Sequence, residues 1–236
     1  MKQFFRDNAL YLSAFLLVLL GMVTALICIP KPELHLLLNG YHTPALDSFF
    51  FHYTHFINWP VYVLMLLPLI VWKQGWTAVF AVTEGASALV IQIIKHIFNM
   101  PRPKTFFTEL GLTDSDLFAD FEQIIVPQVH MHSWHSFPSG HTATFFVFFS
   151  LCAFIYAHEH FPAKSLVAVL CLVLALLGGY SRIYLSQHFL FDVCVGMTEG
   201  TLMSVFVFCL FEAKGWTTKP WFDGNLLALC KKKKVQ

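Results

Sequence analysis

Charge is scarce in this chain. Only 12% of its 236 residues are Asp, Glu, Lys or Arg, 15 basic against 14 acidic, for a formal net charge of +1. So even a balance supplies no basic field, and nothing points to nucleic acid as a partner. Cysteines in metal-binding pairs are lacking too. Cys28, Cys152, Cys171, Cys194, Cys209 and Cys230 are scattered, with no CxxC and no histidines at zinc-finger spacing. Most sit in apolar runs, where a free cysteine packs as a small hydrophobe, and neither disulfides nor a redox compartment follow from them. There is no evident repeat. The first apolar run, about Leu10–Ile29 behind Lys2 and Arg6, has no obvious small-residue cleavage site and exceeds the roughly 7–15 residues of a signal-peptide core, so it is expected to stay as a span.

What the chain has instead is apolar length. Hydrophobic residues make up 57% of it, and the mean hydropathy is +0.63. This excludes an ordinary water-soluble domain. A bilayer core of ~30 Å takes about 20 apolar residues per helix, and the sequence predicts an all-α polytopic membrane protein, one domain over 1–236, with six transmembrane helices. After the first span come roughly His52–Trp72, Trp76–Phe98, Ser139–Tyr156, Ser165–Gly179 and His188–Phe211. Pro30 and Pro32 stop the first span, and a short interfacial helix is expected within Glu33–Phe49, before span 2. A turn at Lys73–Gly75 separates spans 2 and 3, and Pro101 and Pro103 end span 3. The outer loop 99–137 between spans 3 and 4 is far longer than the usual 4–6 residues or so, as lids and binding elements often are. It carries Glu109, Asp114, Asp116, Asp120 and Glu122, and Thr113–Asp116 could start a helix. Gly196 and Gly200 stand at GxxxG spacing in span 6, which permits close helix approach, and a tail, 213–236, ends in Lys231–Lys234.

Three polar stretches lie at the ends of these segments. The first is Lys95, six residues, then Arg102-Pro103; the second is Pro138-Ser139-Gly140-His141; the third is Ser181-Arg182, five residues, His188, three residues, Asp192. A phosphate ester needs such a set. Cations and backbone N–H groups take the non-bridging oxygens, one imidazole attacks phosphorus, and another protonates the leaving oxygen. Neither a metal nor another cofactor is required. Asp192, four residues from His188 at a helix start, can fix the tautomer of its ring. Ser139 and Gly140 precede His141 where a helix N-terminus presents unpaired N–H groups to an anion. Arg102 and Arg182 offer planar bidentate contacts that Lys95 cannot.

Placing the basic residues sets the topology. With the N-terminus inside, the inner side collects Lys2, Arg6, Lys73, Lys164, Lys214, Lys219 and Lys231–Lys234, and the outer side Lys31, Lys95, Arg102, Lys104 and Arg182. Lys95 then ends span 3 outside, Ser139 starts span 4 outside, Arg182 follows the outer end of span 5, and His188 starts span 6 outside. All three stretches are predicted to meet on one face.

Together they resemble the type 2 phosphatidic acid phosphatase superfamily. The pattern Lys-x6-Arg-Pro, Pro-Ser-Gly-His and Ser-Arg-x5-His-x3-Asp is met at every position, and the segment with Leu38-Asn39 and Leu46-Asp47 is similar to that of the family's membrane-bound lipid phosphatases. The resemblance implies His188 as nucleophile through a phosphohistidine, Asp192 as its orienting partner, His141 as general acid, and Lys95, Arg102, Ser139, Gly140 and Arg182 as phosphate ligands. His130, His132 and His135 allow either a metal or headgroup contact, with His135 the first choice for substrate. Glu84 and Glu199 each lie eleven residues from a motif residue, about 16 Å along a helix, and are expected to point into the bundle. The expected activity is metal-independent hydrolysis of a lipid phosphate or diphosphate at the outer, periplasmic face of a bacterial inner membrane. Candidate substrates are undecaprenyl diphosphate, lipid A, phosphatidylglycerophosphate and phosphatidic acid. Phosphate transfer to another lipid, and lipid transport without chemistry, are the alternatives.

Overall fold

The computed structural model describes residues 1–109 and 116–224. Among these the chain is helical throughout, without strands. The helices are α1 (Lys2–Asp7), α2 (Ala9–Cys28), α3 (Lys31–Asn39), α4 (Pro44–His55), α5 (Trp59–Trp72), α6 (Gln74–Phe98), α7 (Pro103–Glu109), α8 (Asp116–Gln123), α9 (Gly140–His158), α10 (Lys164–Tyr184) and α11 (Leu190–Ala213). Five of them, α2, α6, α9, α10 and α11, are long and apolar enough to cross a membrane, and the bent pair α4–α5 brings the number to six if it is counted as one span.

This pair corrects the expected continuous helix over His52–Trp72. The pair is bent by 62° at Phe56–Asn58. Pro60, in the first turn of α5, has no N–H to give and its ring would crowd the carbonyl of residue 56, so a single helix cannot run through. Asn58 becomes the N-cap of a new helix, which places it among the site residues. Span 5 also runs further than its expected end at Gly179: α10 continues to Tyr184, so Ser181 and Arg182 lie in its last turns. Span 6 starts later, at Leu190, with His188 just ahead of the cap. The segment expected to hold one interfacial helix, Glu33–Phe49, is occupied by α3 and the first turns of α4. They are held to the end of α10, where Tyr180 donates to the Leu38 carbonyl at 2.9 Å and Tyr184 to Asp47 at 2.6 Å. In the outer loop α8 begins at Asp116. Asp114, like the Lys231–Lys234 end of the tail and Cys230, falls outside the described residues.

Helix α9 is the axis of the bundle. Buried residues make up 72% of its apolar stretch, against 11% for α2 at the periphery. Phe145, Phe146, Phe149 and Phe154 of α9 pack with Trp76, Phe80, Tyr11 and Phe208 in one apolar cluster. At the end away from the site, Lys73 Nζ lies 2.8 Å from the Glu159 carboxylate and Trp76 Nε1 donates to it at 2.9 Å. The segment after α11 folds back there, with Gly75 N–H donating to the Phe222 carbonyl at 3.0 Å and Gln74 N–H to the Gly224 carbonyl at 2.9 Å.

The GxxxG pair works in the contact between α9 and α11. A Cβ on Gly196 would meet the Ser139 carbonyl, and one on Gly200 the Ala143 carbonyl. Backbone therefore touches backbone, and Ser139 N–H donates to the Asp192 carbonyl at 3.0 Å. The start of α9 and the start of α11, which carry the second and third polar stretches, are locked together by this approach. Gly200→Ala is expected to cost about 1–3 kcal/mol through overpacking and to lower the unfolding temperature in detergent. Gly85→Ala, where an added Cβ meets nothing, should leave it unchanged or slightly raised.

Candidate active site

The three polar stretches come together at one end of the bundle. Around them lie two cavities that share Asn58, Arg102 and His141. One, about 430 Å³, adds Lys95, Gly140 and His188 and continues along Trp59, Tyr62, Val63 and Ile91. The other, about 400 Å³, adds Arg182, Gln187, His130 and His132. A larger groove of about 830 Å³ between α2 and α11 is lined by none of the predicted site side chains.

The helix starts do local work first. Ser139 caps α9: its Oγ accepts from Thr142 Oγ1 at 2.8 Å and from Thr142 N–H at 3.4 Å. The hydroxyl is thus used within the helix end, while the N–H groups of Gly140 and His141 have no acceptor among the described residues. These N–H groups, at the positive end of the α9 dipole, can take an anion. His141 Nε2 lies 3.3 Å from Asn58 Oδ1, to which an Nε2–H would donate.

Asp192 occupies the third position of α11 and its carboxylate is heavily used. Oδ2 accepts from Phe189 N–H at 3.0 Å, half of a capping box, and from Ser136 Oγ at 2.5 Å. The same oxygen lies 3.5 Å from His188 Nδ1, beside the ring but without a hydrogen bond to it, so that Nδ1 is buried and unpartnered. His188 is 2% exposed. Burial, and then the charges of Arg102, Arg182 and Lys95, hold its pKa well below the ordinary histidine value. A neutral imidazole with a free lone pair is the form that can attack phosphorus.

The cations are held by neutral oxygens. Lys95 Nζ donates to the His135 carbonyl at 2.7 Å. Arg102 donates to the Trp134 carbonyl at 3.1 Å and to Gln187 Oε1 at 2.9 Å. Arg182 donates to Thr54 Oγ1 at 2.6 Å, and its buried Nε has no partner. None of the three has a carboxylate within salt-bridge distance among the described residues. Their charge remains free to meet an anion. Burial lowers the Arg102 pKa, which leaves a guanidinium charged all the same.

His135 contributes differently from expectation. Its carbonyl holds Lys95, while its exposed ring faces the Lys95 carbonyl, with Nδ1 at 3.3 Å, and lines neither cavity. His130 and His132 do line one, with ring centroids 4.8 Å apart. Among the described residues no three His, Cys, Asp or Glu side chains converge as metal ligands. Asn58, Ser136, Gln187 and Thr54 were not singled out from the sequence. Only the proline at position 60 hinted at Asn58, and the others are ordinary polar residues until the fold brings them in.

The fold and this site define a membrane-embedded phosphatase on an all-helical scaffold. The chain belongs to the PAP2 superfamily, whose family model matches residues 76–216 and so covers all three polar stretches. It is 26% identical over 180 residues to a lipid A 4'-phosphatase of Porphyromonas gingivalis, covering 76% of this chain and 72% of that protein. It is 29% identical over 167 residues to phosphatidylglycerophosphatase B of Bacillus subtilis, covering 65% and 68%. Among solved structures it is similar to Aquifex aeolicus LpxE, with a TM-score of 0.58 and 26% identity over 75% of this chain and 93% of that one. It also shares its fold with a transmembrane PAP2-type phosphatidylglycerolphosphate phosphatase of Bacillus subtilis, at a TM-score of 0.60 and 23% identity over 89% and 97%.

Ser136→Ala removes one of the two hydrogen bonds that hold the Asp192 carboxylate. Turnover is expected to fall on the order of 10–100-fold, since small misplacements of a reacting group are costly. KM should change little, because the hydroxyl does not line either cavity.

Proposed function

We propose that this chain removes phosphate from a membrane lipid in two transfers through His188, at the outer, periplasmic face. The observation that carries this is the composition of a single cavity. Its polar end joins His188, His141, Lys95 and Arg102, and its other walls include the apolar Trp59 and Val63 of α5 and Ala88 and Ile91 of α6. Trp59 and Val63 in that wall are also 79% and 51% exposed on the bundle surface. A lipid can therefore keep its tail in the bilayer while its phosphate reaches the imidazoles.

In the first transfer the His188 Nε2 lone pair bonds to phosphorus as the bond to the leaving oxygen breaks. His141 gives that oxygen a proton and the lipid alcohol, or shortened phosphate, departs. Lys95, Arg102, Arg182 and the N–H groups of Gly140 and His141 hold the equatorial oxygens, where negative charge stays throughout. Asp192 stabilises the positive charge that develops on the His188 ring. In the second transfer His141 takes a proton from water, which bonds to phosphorus and releases inorganic phosphate from His188. The relatives named for lipid A and phosphatidylglycerophosphate support these two lipids as first substrates to try; undecaprenyl diphosphate and phosphatidic acid complete the panel.

Phosphate release from such a panel should persist in EDTA and disappear in His188→Ala. Release that EDTA abolishes, or that survives in His188→Ala, contradicts the proposal. The depressed pKa of His188 also fixes a pH dependence. The neutral ring is active and is lost as pH falls through a value below the usual histidine pKa, about 6.5. Once the substrate's own second ionisation, about 6, is divided out, kcat/KM should not fall from neutrality down past pH 6.5 or so, since His188 stays neutral there and the acid form of His141 only grows. A fall already at or above that pH would mean that His188 is not held neutral in the free enzyme.

A further inference from the structure

The catalytic cavity continues inward from His141, and one turn deeper its wall carries two buried polar groups that have no partner and that the transfer chemistry leaves unused. Glu84 of α6 accepts from Thr144 Oγ1 at 2.6 Å through Oε1. Thr144 stands three residues after His141 on α9, so the carboxyl lies about one helical turn inward of that ring. Tyr62 stands four residues after Asn58 on α5, again one turn inward of the residue that touches His141. Both side chains line the cavity. Glu84 Oε2 and the Tyr62 hydroxyl are buried and have no hydrogen-bond partner. An unpaired carboxyl oxygen in a membrane interior is costly, as is an unpaired buried hydroxyl. Glu199, the other intramembrane acid, accepts from Ser87 at 2.6 Å and has its own buried, unpartnered Oε1, but it lines the groove beside α11 and not this cavity.

We propose that Glu84 and Tyr62 read the first atoms of the lipid beyond the leaving oxygen, and select lipid phosphates that carry a hydrogen-bond donor there, an amide N–H before all. This rests on the lipid phosphatase reading above and deepens it. A carboxyl accepts a hydrogen bond in either protonation state and a phenol donates one. An acyl amide next to the phosphorylated carbon offers both complements, its N–H to Glu84 Oε2 and its carbonyl to the Tyr62 hydroxyl. An acyl ester offers only the carbonyl and leaves Glu84 unpaired. A site built to bond a substrate N–H or O–H discriminates against the analogue without it far better than an apolar pocket discriminates by size.

The test compares phosphatidic acid with its analogue in which the ester at the second carbon is an amide, so that the two lipids differ by one N–H. Phosphate release is measured for both with wild type, Glu84→Leu and Tyr62→Phe. Wild type is expected to favour the amide in kcat/KM by about tenfold or more. Glu84→Leu should bring the ratio close to one while the ester is hydrolysed within a few-fold of wild type. Tyr62→Phe should slow both lipids and keep the ratio, because the carbonyl is common to them. A wild-type ratio near one overturns the inference without any variant, and so does a ratio that Glu84→Leu leaves unchanged. If wild type releases phosphate from neither lipid nor from the rest of the panel, it is the phosphatase reading itself that fails.

Discussion

The closeness of α9 to α11 is the constraint on which the site depends. Gly196 and Gly200 leave room for the carbonyls of Ser139 and Ala143, and in that gap Ser139 N–H reaches the Asp192 carbonyl. One contact thereby sets the capped start of α9, with His141, against the start of α11, with Asp192 and the adjoining His188. Asp192 then gathers the rest: its carboxylate takes the Phe189 N–H and the Ser136 hydroxyl, so that the last residues of the outer loop are tied to the same point. Side chains at the α9–α11 contact would separate the two imidazoles before they altered anything chemical.

The second constraint is electrostatic. Three cations collect at the end of an apolar bundle with neutral oxygens of Trp134, His135, Gln187 and Thr54 as partners. Charges so placed repel one another and are costly to bury without an anion. A phosphate would supply the missing negative charge to groups already in position. The same cations, with burial, hold the His188 pKa well below the ordinary histidine value, so on the proposed mechanism binding and nucleophilicity share one cause.

Much of this was legible in the sequence because the membrane simplifies the problem. Apolar length marks out the candidate spans, and their alternation brings the three stretches to one end without any knowledge of packing. The misses have specific physical origins. Hydropathy counts Pro60 as one more residue of an apolar run, whereas its missing N–H breaks span 2 and creates the helix start at Asn58. Gly178 and Gly179 looked like the end of span 5, yet they are packing positions: a Cβ on Gly178 would meet the Phe145 ring, and on Gly179 it would press on Val193 and Thr142. The helix goes on, and Arg182 is carried within it to Thr54. His135 was chosen for its ring, but the backbone there, at φ 58°, turns the carbonyl to Lys95 and the ring outward. Ser136 and Gln187 have no signature at all, since their roles arise only where loop and bundle meet.

The central claim is a phosphoryl group carried by His188. The most direct measurement is rapid acid-free quenching during turnover of a lipid phosphate, followed by peptide mass spectrometry under alkaline conditions. The account predicts a phosphate adduct on the peptide containing His188, at that residue, and none in His188→Ala. Turnover with no adduct on His188, together with phosphate release that persists in His188→Ala, would contradict it.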